Sequence, residues 1–270
     1  MKVVVSVQSV TLSPAGDLEL NVGSSASLTA SVSPSDATDK TVTWESGDIT
    51  IATVENGVVT GVAKGGTTIT ARAGGKSATI NVNVVVPASG VTLDQTSLNM
   101  TKTQEVTLVA TVNPGNASNK TVSWTSSNTA VATVDASGKV TAVGGGNATI
   151  TATTHNGKTA TCDVTVTVPL VSISLDKTEK TLAIDGSFTL TVQFNPGDAT
   201  NKTVTWEVGS PTTVSITPNG ITCTVTGLAV GNTTVTVRSG SLSATCTISV
   251  VDVPFDNSEG YGSGNGQWDN

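Results

Sequence analysis

Few residues in this chain have the types and spacing that chemistry needs. His155 is the only histidine, so no His-rich metal site can form. A Ser/His/Asp triad would need an acid and a nucleophile to converge beside Asn156-Gly157. The bland reading of His155 is a solvated loop residue. No Gly-rich phosphate loop with its Lys, no nucleophile elbow and no dinucleotide fingerprint is present. Gly144-Gly145-Gly146 leads into strand-forming residues, so no helix follows it to cradle a phosphate. Asp36, Asp39 and Asp198 sit in turn-forming stretches, where carboxylates are ordinary turn formers, and the spacing of a calcium loop is missing. Catalytic, cofactor-binding and metal-binding residues are therefore expected to be none.

The three cysteines are more informative. Cys162 and Cys246 occupy one phase of a repeat whose first copy has Ile80 there, which marks them as small core residues. Cys223 shares its inward parity with Val225, and only the third copy has a second cysteine. A disulfide between Cys223 and Cys246 is the expectation, in an oxidising location. Cys162 has no partner in its own copy.

The elements that would position these residues are strands. Charged residues make up 12% of the 270-residue chain and aromatics 3%, while Thr, Ser, Val and Gly crowd every line. That mix suits half-buried pleated surfaces and offers little to helices. A hydrophobic content of 37% is enough for several modest cores and too high for a disordered chain. The net charge of −7, with 13 scattered basic residues, excludes nucleic acid as a partner. No apolar run approaches the length of a membrane span, so no membrane insertion is expected. Met1-Lys2-Val3-Val4-Val5 is too short for a secretory leader, so Met1 is read either as a native start or as the edge of a longer array. Val3-Val4-Val5-Ser6 resembles Val84-Val85-Val86-Pro87, the close of a repeat.

Internal repetition is the strongest signal. The run Pro34-Ser35-Asp36-Ala37-Thr38-Asp39-Lys40-Thr41-Val42-Thr43-Trp44 returns from Pro114 to Trp124 and again from Pro196 to Trp206. Trp124 follows Trp44 by 80 residues, and Trp206 follows Trp124 by 82. Before each run, apolar residues alternate: Leu28, Ala30, Val32; then Leu108, Ala110, Val112; then Leu190, Val192, Phe194. Trp44, Trp124 and Trp206 are the expected core fillers of domains with almost no other aromatics. An Ala-Thr-Val strand, a Gly turn, a Val-Thr-x-Val strand and two further strands complete each copy. About seven short strands in ~80 residues is the signature of a Greek-key sandwich. Val86-Pro87, Val168-Pro169 and Val253-Pro254 share one phase, and proline ends a ladder. The expected domains are therefore 1–86, 87–168 and 169–253, with 254–270 as a tail. Short, proline-marked linkers favour an elongated, semi-rigid rod.

These residues resemble the bacterial group 2 immunoglobulin-like family. The pattern that carries the resemblance is the Pro-to-Trp run, the Ala-Thr-Val strand, the Gly turn and the strands after it, over about residues 8–253. The third copy departs most, with Val214-Ser215-Ile216 in place of Ala-Thr-Val behind an insertion carrying Pro211. The resemblance implies an all-β chain of three tandem immunoglobulin-like sandwiches, used as spacers and binders in bacterial surface adhesins and tailed-phage virions. It implies no common catalytic residue and no single ligand.

The tail adds Phe255, Tyr261 and Trp268 in a Gly-rich acidic stretch. It is read either as a flexible end or as a recognition peptide. The expected function is non-enzymatic: a phage fibre or decoration protein, exposed on the virion surface, making weak multivalent contact with bacterial surface polysaccharide. Other virion or cell-surface proteins are the remaining expected partners. The alternatives are a secreted bacterial adhesin or its stalk, and an accessory spacer of a larger carbohydrate-active protein.

Overall fold

A computed structural model describes residues 3–252. Among them every regular element is a strand, and no helix is long and apolar enough to cross a membrane. The first copy of the repeat runs β1 (Ser9–Ser13), β2 (Leu18–Asn21), β3 (Ser25–Ser27), β4 (Thr29–Ser33), β5 (Thr43–Ser46), β6 (Ala52–Glu55), β7 (Val58–Gly61), β8 (Gly65–Ala73) and β9 (Lys76–Val85). The second runs β10 (Gly90–Leu93), β11 (Ser97–Thr101), β12 (Glu105–Thr107), β13 (Ala110–Asn113), β14 (Val122–Ser126), β15 (Ala132–Val134), β16 (Lys139–Ala142), β17 (Gly146–Thr154) and β18 (Thr159–Thr167). The third has β19 (Ser172–Leu175), β20 (Glu179–Ala183), β21 (Ser187–Asn195), β22 (Thr205–Val208), β23 (Val214–Asn219), β24 (Thr222–Gly227), β25 (Gly231–Ser239) and β26 (Leu242–Val251).

Strand order repeats with the sequence. One sheet is β2-β9-β8-β5, then β11-β18-β17-β14, then β20-β26-β25-β22. The facing sheet is continuous in the third copy as β19-β21-β24-β23, and split in the others into β1-β4 with β3-β7-β6 and β10-β13 with β12-β16-β15. The chain crosses between sheets from β4 to β5 and from β7 to β8, the Greek-key connection that the alternating pattern predicts. The described residues group into two compact units: 3–98, 105–141 and 148–164 in one, 99–104, 142–147 and 165–252 in the other. The middle copy contributes to both.

Period-two alternation puts the aliphatic residues inside. In the third copy Leu190, Val192, Val214, Cys223 and Val225 of one sheet share a core with Val235, Val237, Cys246, Ile248 and Val250 of the other. The largest fully buried side chains are aliphatic: Ile69, Leu108, Ile150, Leu190 and Ile248. Trp44, Trp124 and Trp206 are only half-buried. They lie on the edge strands β5, β14 and β22, and from there Trp44 and Trp206 pack against the cores of their copies.

The extra residues of the third copy do not precede its Val-Ser-Ile strand. Val214 follows Trp206 by eight positions, as Ala52 follows Trp44 and Ala132 follows Trp124. The first copy pairs Ala52 with Gly61, nine positions on, whereas the third pairs Val214 with Gly227, thirteen positions on. Four residues therefore lengthen the β23–β24 hairpin. The insertion expected at Pro211 is thus in the later hairpin, because proline marks a turn without marking an insertion. The longer hairpin gives Trp206 an acceptor, its indole N–H donating to the Gly220 carbonyl at 3.2 Å.

Candidate functional site

The Pro-to-Trp run does the same work three times. Its alanine, Ala37, Ala117 or Ala199, is buried, and its N–H donates to the carbonyl of Pro34, Pro114 or Pro196 at 3.0, 2.9 and 3.0 Å. That bond closes a tight turn. The acidic or amide residue two positions later closes an Asx turn. There Asp39, Asn119 and Asn201 accept the N–H of Thr41, Thr121 and Thr203 at 2.8, 2.9 and 3.0 Å. The carboxylate of Asp39 is thereby held below its usual range by hydrogen bonds from Thr41.

Between these two turns sits a hydroxyl residue that grips the incoming chain. Thr38, Ser118 and Thr200 donate their N–H groups to the carbonyls of Val5, Val86 and Val168 at 2.9, 2.8 and 2.9 Å. Their hydroxyl oxygens accept the N–H groups of the same three valines at 2.8, 2.9 and 2.7 Å. The pair of bonds forms a clasp on the backbone just ahead of each sandwich. A lysine adds to it in two places. Lys64 Nζ donates to the Asn116 carbonyl at 3.4 Å, and Lys102 pairs with Asp198 at 2.6 Å. The sequence had shown this run as turn chemistry, and the clasp was missed. Its one signal was the unbroken recurrence of a hydroxyl at that position.

A cleft of about 310 Å³ lies beside the middle clasp. It is lined by the linker Val85-Val86-Pro87-Ala88, by Glu19 and Asn21 of β2, by Ser118 and Asn119 of the clasp turn, and by His155 with Asn156. The last two exist there because the β17–β18 hairpin is long. Four residues separate its strands, against two in the β8–β9 and β25–β26 hairpins. Asn156 ties the long hairpin down. Its amide donates to the Ala88 carbonyl at 2.7 Å and its oxygen accepts from the Thr154 hydroxyl at 2.8 Å. A related cleft of about 320 Å³ in the third copy is lined by Leu170, Asn201, Ser239, Gly240, Ser241 and Leu242, without ionisable groups.

His155 is an exposed loop residue, as expected, and it also lines the cleft. Ser118, His155 and Glu19 share that cleft, but no hydrogen bond joins the three among the described residues. No cluster of three metal-ligating side chains occurs among the described residues. Cys223 and Cys246 lie in opposite sheets of one core, and they and Cys162 are free, buried thiols in the structure. Burial raises the pKa of all three. Cys246 pairs with Val235 in the register where Ile80 pairs with Ile69, which places it at the first copy's isoleucine position. Phe255, Tyr261 and Trp268 lie outside the described residues.

Comparison with known proteins follows the same repeat. The chain is 39% identical over 171 residues to the Ig-like virion protein of Serratia phage KSP90, covering 60% of this chain and 66% of that protein. It is 38% identical over 175 residues to an uncharacterized protein of Clostridium acetobutylicum, covering 63% of this chain and 18% of that one. A lacto-N-biosidase of Bifidobacterium bifidum is 46% identical over 82 residues, which is 30% of this chain and 7% of the enzyme. The chain thus spans less than two thirds of each of these relatives. The sequence profile of the bacterial Ig-like domain (group 2) matches residues 6–82, 87–164 and 169–248, and the chain belongs to that family.

Proposed function

We propose that this chain is a non-enzymatic surface-display protein, exposed on a virion, whose sandwiches make weak multivalent contact with bacterial surface glycans. The observation that carries this reading is the threefold sandwich with its clasped linkers, in a chain similar to a phage Ig-like virion protein over 60% of its length. A module repeated three times offers the same kind of surface three times. Linked weak contacts then add up to useful avidity. The surface supports a polar partner: outward threonines pair across strands, Thr70 with Thr79 and Thr236 with Thr245, both at 3.1 Å. The proposed domains are 1–86, 87–168 and 169–253, the first two ending where a clasped valine, Val86 or Val168, meets proline.

A second reading has its own support. The relative from Clostridium acetobutylicum is a far longer protein, which suits a bacterial cell-surface adhesin or stalk built from the same repeat. The short match to a lacto-N-biosidase likewise keeps an accessory spacer of a carbohydrate-active protein among the alternatives. The test is binding of the purified chain to intact bacterial cells and to their extracted surface polysaccharide, beside a chain ending at Val253. Saturable binding by both supports contact through the sandwiches. Binding lost with the tail would assign it to Phe255, Tyr261 and Trp268, and no binding by either would overturn the glycan contact.

A further inference from the structure

We propose that the cleft beside the middle clasp is a site for one neutral sugar residue, an assignment that deepens the glycan reading above and rests on it. The cleft gathers the groups that recognise adjacent hydroxyls and leaves them free to do so. The Asn119 oxygen is taken by the Thr121 N–H, which leaves its amide NH₂ to donate. The Ser118 hydroxyl accepts from Val86, so its own proton is available. Glu19 uses one oxygen to accept from Asn83 at 3.4 Å, and the other remains to accept from a ligand. Asn21 and His155 add a carboxamide and an imidazole to the lining.

The linker supplies the complementary half of sugar recognition. Val85, Val86, Pro87 and Ala88 form an apolar strip, against which the C–H face of a pyranose can lie while its hydroxyls reach the polar lining residues. At about 310 Å³ the cleft is at the small end of ligand-sized sites, roughly 300–1,000 Å³. Charge selects against acidic sugars, because Glu19 lies in the cleft and the chain carries a net charge of −7. The site is also built rather than inherited from the repeat. His155 and Asn156 come from extra hairpin residues, and the hydrogen bond from Asn156 to Ala88 folds them over the linker. The corresponding cleft of the third copy offers Gly240 and Ser241 instead.

The experiment compares the full chain with a Glu19→Ala, His155→Ala double variant and with Glu179→Ala, an exposed carboxylate elsewhere, as control. Each is titrated with extracted bacterial surface polysaccharide. Saturation-transfer NMR is then run with free D-galactose, N-acetyl-D-glucosamine and L-rhamnose. Polysaccharide binding at least tenfold weaker in the double variant and unchanged in the control is the expected result, with loss of any free-sugar signal alongside it. Circular dichroism should show the double variant folded as the parent, since both side chains are exposed. Polysaccharide binding equal in parent and double variant overturns the cleft and leaves the glycan reading standing. A parent chain that binds neither polysaccharide nor any free sugar overturns both.

Discussion

Gly57 and Gly138 show how tightly single positions are set. Both have positive φ, +83° and +86°, where a side chain is strained. A Cβ at Gly57 would lie 2.4 Å from the Leu28 carbonyl oxygen and 3.1 Å from the Trp44 ring, and one at Gly138 would lie 2.6 Å from Leu108 O and 2.9 Å from Trp124. Gly57→Ala should therefore cost about 2–4 kcal/mol, combining left-handed strain with overpacking. Urea unfolding followed by tryptophan fluorescence should show it as a lower midpoint for the first sandwich. The third copy answers the same position differently. Cys223, paired with Leu190, stands in a regular strand where the first copy has Gly57 next to Leu28. Cys162, Cys223 and Cys246 should stay inert to a thiol reagent at pH 8 in the folded chain, because burial both blocks them and raises their pKa. The pairing of Cys223 with Cys246 remains a proposal. After unfolding of protein made under oxidising conditions, one reactive thiol supports it, and three rule it out.

At the scale of elements the clasp turn is the unit that matters. Thr200→Val removes the acceptor of the Val168 N–H while keeping the side chain's shape. The loss should be about 1 kcal/mol, with hydrogen exchange at Val168 faster and exchange in the β26 core unchanged. Acid should loosen several turns together. Hydrogen bonds from Thr41, Thr50 and Ser137 hold Asp39, Asp48 and Asp135 below the usual carboxylate range, and Lys102 does the same for Asp198. A folded pKa below the unfolded value contributes stability that is present above about pH 3.9 and is lost as pH falls through the folded values. Melting temperatures should accordingly drop below pH 4, and Asn in place of Asp135 should flatten part of that drop. Much of this was legible in the sequence, because turn residues such as Pro34 and Asp39 act through their own local backbone. The hydroxyl clasp was not legible, because its partner Val5 lies 33 residues away from Thr38. The third copy's longer hairpin was misplaced for a related reason: only the Val214–Gly227 pairing shows where the extra residues fall.

Over the whole molecule, the fold was readable because three copies of one pattern corroborate each other, whereas the cleft was not. Glu19 and His155 belong to different copies, and nothing in either strand's alternation says that a linker brings them together. Separate cores also imply separate melting. Variants that keep only Trp44 or only Trp206 should unfold with distinguishable midpoints, and coincident curves would show the sandwiches to be one cooperative unit. The parallel pairing of β2 with β9, and of β20 with β26, has a consequence under load. Leu18 to Asn21 lie alongside Val82 to Val85, so the strand near the start of the sandwich runs in the same direction as the strand that leaves it. Tension drawn through the backbone slides these two strands past each other along their length. Their rungs must then give way together rather than peel apart one after another, so the first and third sandwiches resist a pull best along the line in which the chain passes through them.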